Sequence, residues 1–342
     1  MTETDYQIRR MTAEDEPAVL DLMRVSLGEG SIPRTAAYWW WKHGLNPFGT
    51  SPVLVAEANG GLVGLRAFMR WTWAIGTRRY SAVRAVDTAT HPNHRGQGIF
   101  KRLTLQLRDA MAAEGVAFVF NTPNAQSRPG YVRMGWSVAG QPTLWMRPVR
   151  PVRLIAGLRR GGLSGPEGEP PPIEAAGAGT LLGDDASASI LSMAHQSYSA
   201  GYHTRSSLAA LRWRYGGVPG FEYVAHRSGE GESGALAFAR TRQRGGIREL
   251  RICDLVVGAS PVARTHARRV LRDLSRAADV DMVVALPPDI PGGKRLLLEA
   301  GFLPVPRSGP IVTVLPMNLP VGAPDPTSLA NWRPSIGDLE LF

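Results

Sequence analysis

The chain has 342 residues, enough for two domains, and 44% of them are hydrophobic, enough for a core in each. Its formal charge of +10 is carried almost wholly by arginine, because Lys42, Lys101 and Lys294 are the only lysines; the arginines are dispersed, with no helix-turn-helix, zinc or RNP-type pattern, which argues against nucleic acid as a partner. A single cysteine, Cys253, excludes an intrachain disulfide framework and suits the cytoplasm, while no run approaches the ~18 apolar residues of a membrane span and Met1-Thr-Glu-Thr-Asp5 does not open an apolar signal segment.

Thr12 suits a helix N-cap, with Asp15 at the capping-box position. Tyr38-Trp39-Trp40-Trp41 predicts a helix that spreads its rings, some toward the core and some toward a cleft. Val83, Ala85, Val86, Thr88, Ala89 and Thr90 suit a strand, which Pro92 ends because proline cannot donate to a ladder. From Ile99 onward, Phe100, Leu103, Leu107 and Met111 recur at helical spacing. Gly96 and Gly98 therefore stand at the mouth of a helix, where bare N–H groups favour an anion and most naturally a diphosphate. A plain turn is the alternative. No Gly-Lys-Ser or Gly-Lys-Thr follows, which excludes a P-loop, and a third glycine is missing for a dinucleotide fingerprint. His91 and His94 have ligand-like spacing, but the intervening Pro92 breaks a helix and no carboxylate or cysteine joins them, so no metal is expected.

Arg95-Gly96-Gln97-Gly98-Ile99-Phe100 resembles the pyrophosphate loop of the GNAT superfamily of acyl-CoA N-acyltransferases, whose pattern is Gln/Arg-x-x-Gly-x-Gly/Ala after a strand. Phe100 stands where the family has Gly or Ala. The resemblance continues in the strand Val116–Phe120, in Asn121-Thr-Pro-Asn124 and in Tyr131-Val-Arg-Met-Gly135-Trp136. Upstream it includes Ile8-Arg-Arg-Met-Thr12-Ala-Glu-Asp15, so that it covers residues 5–147. It implies acetyl-CoA as co-substrate, held by the backbone of Thr88, Ala89 and Thr90 and by the loop Arg95, Gly96, Gln97, Gly98, Ile99 and Phe100. The Gly44–Gly49 turn is expected above the cofactor end. Asn124 either bonds the pantetheine arm or caps the next turn. Tyr131 matches the family tyrosine that protonates the leaving thiolate; Arg128-Pro129-Gly130 before it predicts a shortened turn in place of an unbroken helix. Asp87, on the strand beside the expected thioester, is the candidate general base, with a structural role as the alternative.

Similar segments recur about 170 residues later. Trp41-Lys-His-Gly is echoed by Trp213-Arg-Tyr-Gly, Gly64–Phe68 by Gly234–Phe238, Val86-Asp87 by Cys253-Asp254, Ala117–Phe120 by Met282–Ala285, and Gly135-Trp136 by Gly301-Phe302. The expected fold class is thus α/β: two tandem GNAT-like folds, each a central twisted mixed sheet flanked by helices. The second copy has no glycine pair before its helix at 259–271 and no clear tyrosine before Gly301, so it is expected to have lost cofactor binding. The domains expected are a catalytic unit at 1–147, a linker at 148–179, a degenerate copy at 180–323 and a C-terminal strap at 324–342 that carries Trp332, Asp338 and Phe342. In the linker, Arg150–Arg160 reads as a basic helix and Gly161–Gly179 as a flexible Gly/Pro-rich segment. The function implied is acetyl transfer from acetyl-CoA to the amine of a small molecule, with a non-catalytic CoA-binding sensor or scaffold as the alternative. The oligomeric state is open, with a homodimer among the options.

Overall fold

The computed structural model describes residues 6–28, 32–160, 162, 167–194, 201–204 and 207–340. Met1–Asp5 and Phe342 lie outside these, as do Gly161 and residues 163–166 of the linker.

The first half is organised around one long hairpin. β1 (Gln7–Arg10), α1 (Glu16–Leu27), α2 (Ala36–His43) and β2 (Val53–Ala58) lead into β3 (Gly61–Ile75) and β4 (Arg78–Thr90). Gly76, at φ 56°, makes the tight connection between the last two. α3 (Ile99–Ala113), β5 (Phe118–Asn121), the short α4 (Arg128–Arg133) and β6 (Ser137–Gly140) complete this half. The Asp15 carboxylate accepts the Thr12 N–H at 2.8 Å, as the capping-box spacing predicts. α1 and the Trp39 face of α2 bury one side of the sheet against Leu65, Ala67 and Ala89. α3 buries the other through Ile99, Leu103, Leu107 and Met111, on Val83, Ala85 and Phe68. Gly64 permits this close approach, since a Cβ there would press on Ile99 and Leu103.

The chain then crosses over as β7 (Leu144–Pro148) and α5 (Pro151–Arg159). β8 (Glu167–Gly168), α6 (Ala178–Leu181), α7 (Asp185–Ala194), β9 (His203–Thr204) and α8 (Leu208–Tyr215) lead into the second hairpin, β10 (Val224–Ser228), β11 (Ala235–Arg244) and β12 (Ile247–Val257). α9 (Ala263–Arg276), β13 (Met282–Ala285), α10 (Gly293–Glu299), β14 (Leu303–Val305), β15 (Val312–Pro316) and α11 (Ile336–Leu339) follow. The result is two mixed sheets with helices on their faces, the expected fold class.

The sheets exchange strands. The first runs β1-β2-β3-β4-β5-β15-β6, with β9 on β3, and the second runs β10-β11-β12-β13-β7-β14, with β8 on β11. β7 thus leaves the first half to lie between β13 and β14, and β15 returns to lie between β5 and β6. Between the sheets, Trp41 and Trp213 stack at 5.1 Å. Each donates its indole N–H to the other's backbone C=O at 2.8 Å. Phe48, from the Gly44–Gly49 turn, packs on Trp71 and Trp213, so the turn closes this interface. The last segment lies across both halves: Trp332 is buried against Trp73, Phe118 and Phe120, and its indole donates to the Pro326 C=O. No helix among the described residues is long and apolar enough to cross a membrane.

Candidate active site

The loop before α3 has the backbone that an anion cradle requires. Gly96 and Gly98 sit at φ 79° and 77°, the left-handed region that favours glycine. No atom lies within 4 Å of where a Cβ would stand on either, so the loop faces open space. The Arg102 N–H closes the first turn on Gly98 C=O at 3.0 Å, which leaves the N–H groups of Ile99, Phe100 and Lys101 without helical partners. The loop is pinned at both flanks. Arg95 donates to Ser26 C=O at the end of α1 (2.8 Å), and the Tyr6 hydroxyl donates to Gln97 C=O (3.4 Å). Arg95 is therefore a tether of the loop in this structure. His91 accepts the Asn93 N–H within its own turn.

Beside the loop, β4 leaves its neighbour. It pairs in parallel with β5 only from Ala82↔Phe118 to Arg84↔Phe120. Against β3 its register shifts between Arg66 and Phe68, so that Val86 and Asp87 form a bulge opposite Ala67. Thr88, Ala89 and Thr90 then continue with β3 alone among the described residues. A V-shaped opening between two parallel strands results, with one backbone edge of 86–90 turned toward it.

Tyr131 comes from α4, which has only six residues, as Pro129 and Gly130 predict. The ring is buried between Phe100 (5.6 Å) and Trp136 (5.5 Å). The bulk of Phe100 is matched by Gly130: a Cβ there would stand 3.2 Å from the Phe100 ring. A small residue in the wall thus compensates for a large one at the helix entry. The Tyr131 hydroxyl accepts a hydrogen bond from Arg66 Nη2 at 2.7 Å, and Arg66 Nη1 reaches Val86 C=O in the bulge at 3.1 Å. The oxygen of Asn124 accepts from the Gln126 N–H and from Ser127 N–H and Oγ, which is the capping role.

Asp87 is held from α2. Lys42 Nζ lies 2.7 Å and His43 Nε2 2.9 Å from the same oxygen, Oδ2. Burial pushes this carboxyl up, but the Lys42 charge and the His43 bond outweigh it and hold it below the usual carboxylate range. Burial also keeps the His43 imidazole below its ordinary value, against the pull of Asp87. A carboxylate held ionised in this way is a poor proton acceptor and a good electrostatic anchor.

Across the opening, Arg84 donates to the backbone C=O of Asp338 and Leu339. It also reaches Thr122 Oγ1 (3.0 Å), which itself donates to Leu339 C=O (3.1 Å). The end of the strap is thereby drawn to the point where β4 and β5 separate.

The second half has the same frame without the cradle. β12 and β13 pair in parallel only from Glu249↔Met282 to Arg251↔Val284, and β12 has its own register shift opposite Phe238/Ala239. Gly258, before α9, is enclosed: a Cβ there would collide with the Glu232 C=O, and Ser260 N–H bonds that same oxygen at 2.9 Å. Asp254 accepts from the Tyr215 hydroxyl. Burial, with the charge of Asp338 added, pushes the Asp254 carboxyl up to about 7. Beside it remains a cavity of about 60 Å³, walled by β12, by Leu286–Ile290 and by the strap.

Lys42, His43, Arg66 and Arg84 escape a reading of the sequence. Arg66 carries a signal, being a charge inside the otherwise apolar run Gly64-Leu-Arg-Ala-Phe68. Lys42 and His43 are screened by the aromatic run before them.

The Acetyltransferase (GNAT) domain family model matches residues 7–139. Among solved structures, a GCN5-related N-acetyltransferase from Anabaena variabilis is 14% identical with a TM-score of 0.63, covering 92% of this chain and 73% of that one. A probable N-acyltransferase from Enterococcus faecalis V583 is 12% identical with a TM-score of 0.58, covering 92% and 74%. Eis1 from Mycobacterium abscessus is 14% identical with a TM-score of 0.54, again covering 92% and 74%. These likenesses run through both halves and establish the fold. No curated protein matches the sequence significantly.

Proposed function

We propose, for a chain whose residues 7–139 form a GNAT acetyltransferase domain, that it is an N-acyltransferase moving an acetyl group from acetyl-CoA to the amine of a small molecule. The observation that carries this reading is the pair of left-handed glycines facing open space beside a bulged strand that has left its neighbour.

The residues present fit the co-substrate. The bare N–H groups at the start of α3 suit a diphosphate, and the free edge of Thr88, Ala89 and Thr90 suits an extended amide-bearing arm. Acetyl-CoA supplies an electrophilic thioester carbon and a thiolate leaving group. Tyr131 Oη holds the proton that neutralises that thiolate. Asp87, ionised beside Lys42 and His43, steadies the cationic form of the acceptor as it enters, and water removes the amine proton. The strap, through Leu339 and Glu340, closes the acceptor side and excludes bulk solvent. The single buried Cys253 and the need for acetyl-CoA favour the cytoplasm as the place of reaction.

Titration calorimetry with acetyl-CoA, followed by a thiol-release assay against amino sugars, aminoglycosides, polyamines and amino acids, tests the proposal. Binding with release in the presence of one amine class is expected. Binding without release from any amine would make the protein a CoA-binding sensor or scaffold, and absence of binding would overturn both readings.

A further inference from the structure

Arg66 is a buried cation without a protein counter-charge. Its side chain is fully enclosed, resting on the rings of Phe68 (4.9 Å), Tyr131 (5.4 Å) and Phe100 (5.8 Å). Its hydrogen bonds go to a hydroxyl and a carbonyl, Tyr131 Oη and Val86 C=O. Nε has no partner, and no carboxylate forms an ion pair with this guanidinium among the described residues. Asp87, next in the chain to Val86, turns its Oδ2 to Lys42 and His43 instead. An isolated buried charge is costly to hold. Aromatic faces recover part of that cost through their quadrupoles. A structural purpose alone would be served by a neutral side chain.

The chemistry of the guanidinium also constrains its partner. Arginine has donors only. The Tyr131 oxygen must therefore accept from Arg66, so the hydroxyl's own proton is directed elsewhere and stays available for transfer. The second arm of the fork fixes the distance between Tyr131 and the bulge.

We propose that Arg66 is a positioning residue for acyl transfer: it orients the Tyr131 hydroxyl as proton donor and supplies the fixed positive charge that balances the negative charge appearing on sulfur. This rests on the transferase reading above. In the step it serves, the amine nitrogen bonds to the acyl carbon and the carbon–sulfur bond breaks with its electron pair on sulfur. Tyr131 passes its proton to sulfur, and the proton released by the amine nitrogen returns through water to the Tyr131 oxygen. Arg66 loses no proton at any point.

The test uses the full chain and the variants R66M, R66K, Y131F and R66M/Y131F. In calorimetry, wild-type protein binds CoA more tightly than desulfo-CoA, and the gap widens as the pH rises and more of the CoA thiol ionises. In R66M the gap closes while affinity for desulfo-CoA is retained; in R66K, which keeps the charge, the gap remains. In turnover, R66M lowers kcat about a hundredfold, the scale of lost general-acid catalysis, with little change in KM for acetyl-CoA. Removing Arg66 slows Y131F less than it slows the wild type, because the orienting role disappears with the hydroxyl and only the charge role remains. A CoA preference unchanged in R66M, or kcat losses that multiply in the double variant, would overturn the inference. If R66M does not fold, R66K decides on its own: kcat reduced with the preference for CoA kept supports the assignment, and wild-type kcat overturns it. Should the wild type bind CoA and turn over no amine, the transferase reading fails, and the desulfo-CoA comparison still decides the charge role of Arg66.

Discussion

The two halves start from the same plan and diverge at the places where a ligand would touch them. Trp41 and Trp213 occupy equivalent positions and exchange identical hydrogen bonds. Lys42 and His43 beside Asp87 correspond to Arg214 and Tyr215 near Asp254. Yet the first half opens a pair of left-handed glycines to space, whereas the second closes its loop on the Glu232 carbonyl. The first keeps its bulge carboxylate ionised with a lysine and a histidine, while beside the second bulge burial and a neighbouring acid push the Asp254 carboxyl up. Packing positions have been retained in both copies, and the means of holding an anion in only one.

The widest expected break in this comparison is Gly98→Val. A Cβ at φ 77° costs about 1–2 kcal/mol of backbone strain and meets no atom of the protein, so the variant folds. It would intrude on the cradle, however, and affinity for acetyl-CoA falls at least about a hundredfold by calorimetry, which is ~2.7 kcal/mol. Wild type takes up a single acetyl-CoA per chain, and a second site of similar affinity would contradict the reading of Gly258.

Trp213→Ala tests the shared part. It removes a buried indole, the stack on Trp41 and the bond that the Trp213 indole donates to Trp41 C=O, and denaturant unfolding is expected to lose about 3–5 kcal/mol. Tyr131→Phe tests the part held by one half: kcat falls about a hundredfold, with the dissociation constant for CoA unchanged.

The smallest effect is the most selective. The Asp87 carboxyl is lowered in the folded state, so its contribution is present above the ordinary carboxylate range and is lost as the pH falls below it. Asp254 is raised, from 3.8 to about 7, so the folded state binds the extra proton between these values. Stability from Asp254 is therefore fully present below about 4 and declines as the pH rises through 7. Asp87→Asn flattens the stability–pH curve below the ordinary carboxylate range, and Asp254→Asn flattens it between about 4 and 7. Thermal midpoints at pH 2, 4, 6 and 8 report the two, with shifts of a few degrees (~1 kcal/mol) expected below pH 4 for Asp87 and between pH 4 and 7 for Asp254. The same slope in both variants would remove the distinction between the two bulges.

Much of this was legible in the residues alone. The glycine pair, the strand Val83–Thr90 and the helix from Ile99 are contiguous in sequence, and local chemistry decides them, while the bulge at Val86 and Asp87 shows only in the strand register. The tandem copies were readable because packing positions such as Trp41 and Trp213 recur. The strand exchange was not readable, since Leu144–Pro148 and Val312–Pro316 are apolar runs that would suit either sheet and nothing local says which one they join. The surroundings of Asp87 were hidden for a related reason. Lys42 and His43 come from a helix more than 40 residues away, and a lone carboxylate on a strand says nothing about its neutralisation. Arg95 reads as a ligand contact from the motif, and Asn124 as either a pantetheine contact or a turn cap. In the folded chain Asn124 Oδ1 caps a turn and Arg95 ties the loop to α1.

The reciprocal placing of β7 and β15 has a consequence for dividing the chain. Cutting the gene between the copies would leave each product with a gap in the middle of its sheet and an orphan strand, exposing unpaired backbone on both sides of the gap. The two pieces would become soluble only when co-expressed, through mutual complementation. Whatever chemistry either half carries, neither sheet is complete without a strand from the other.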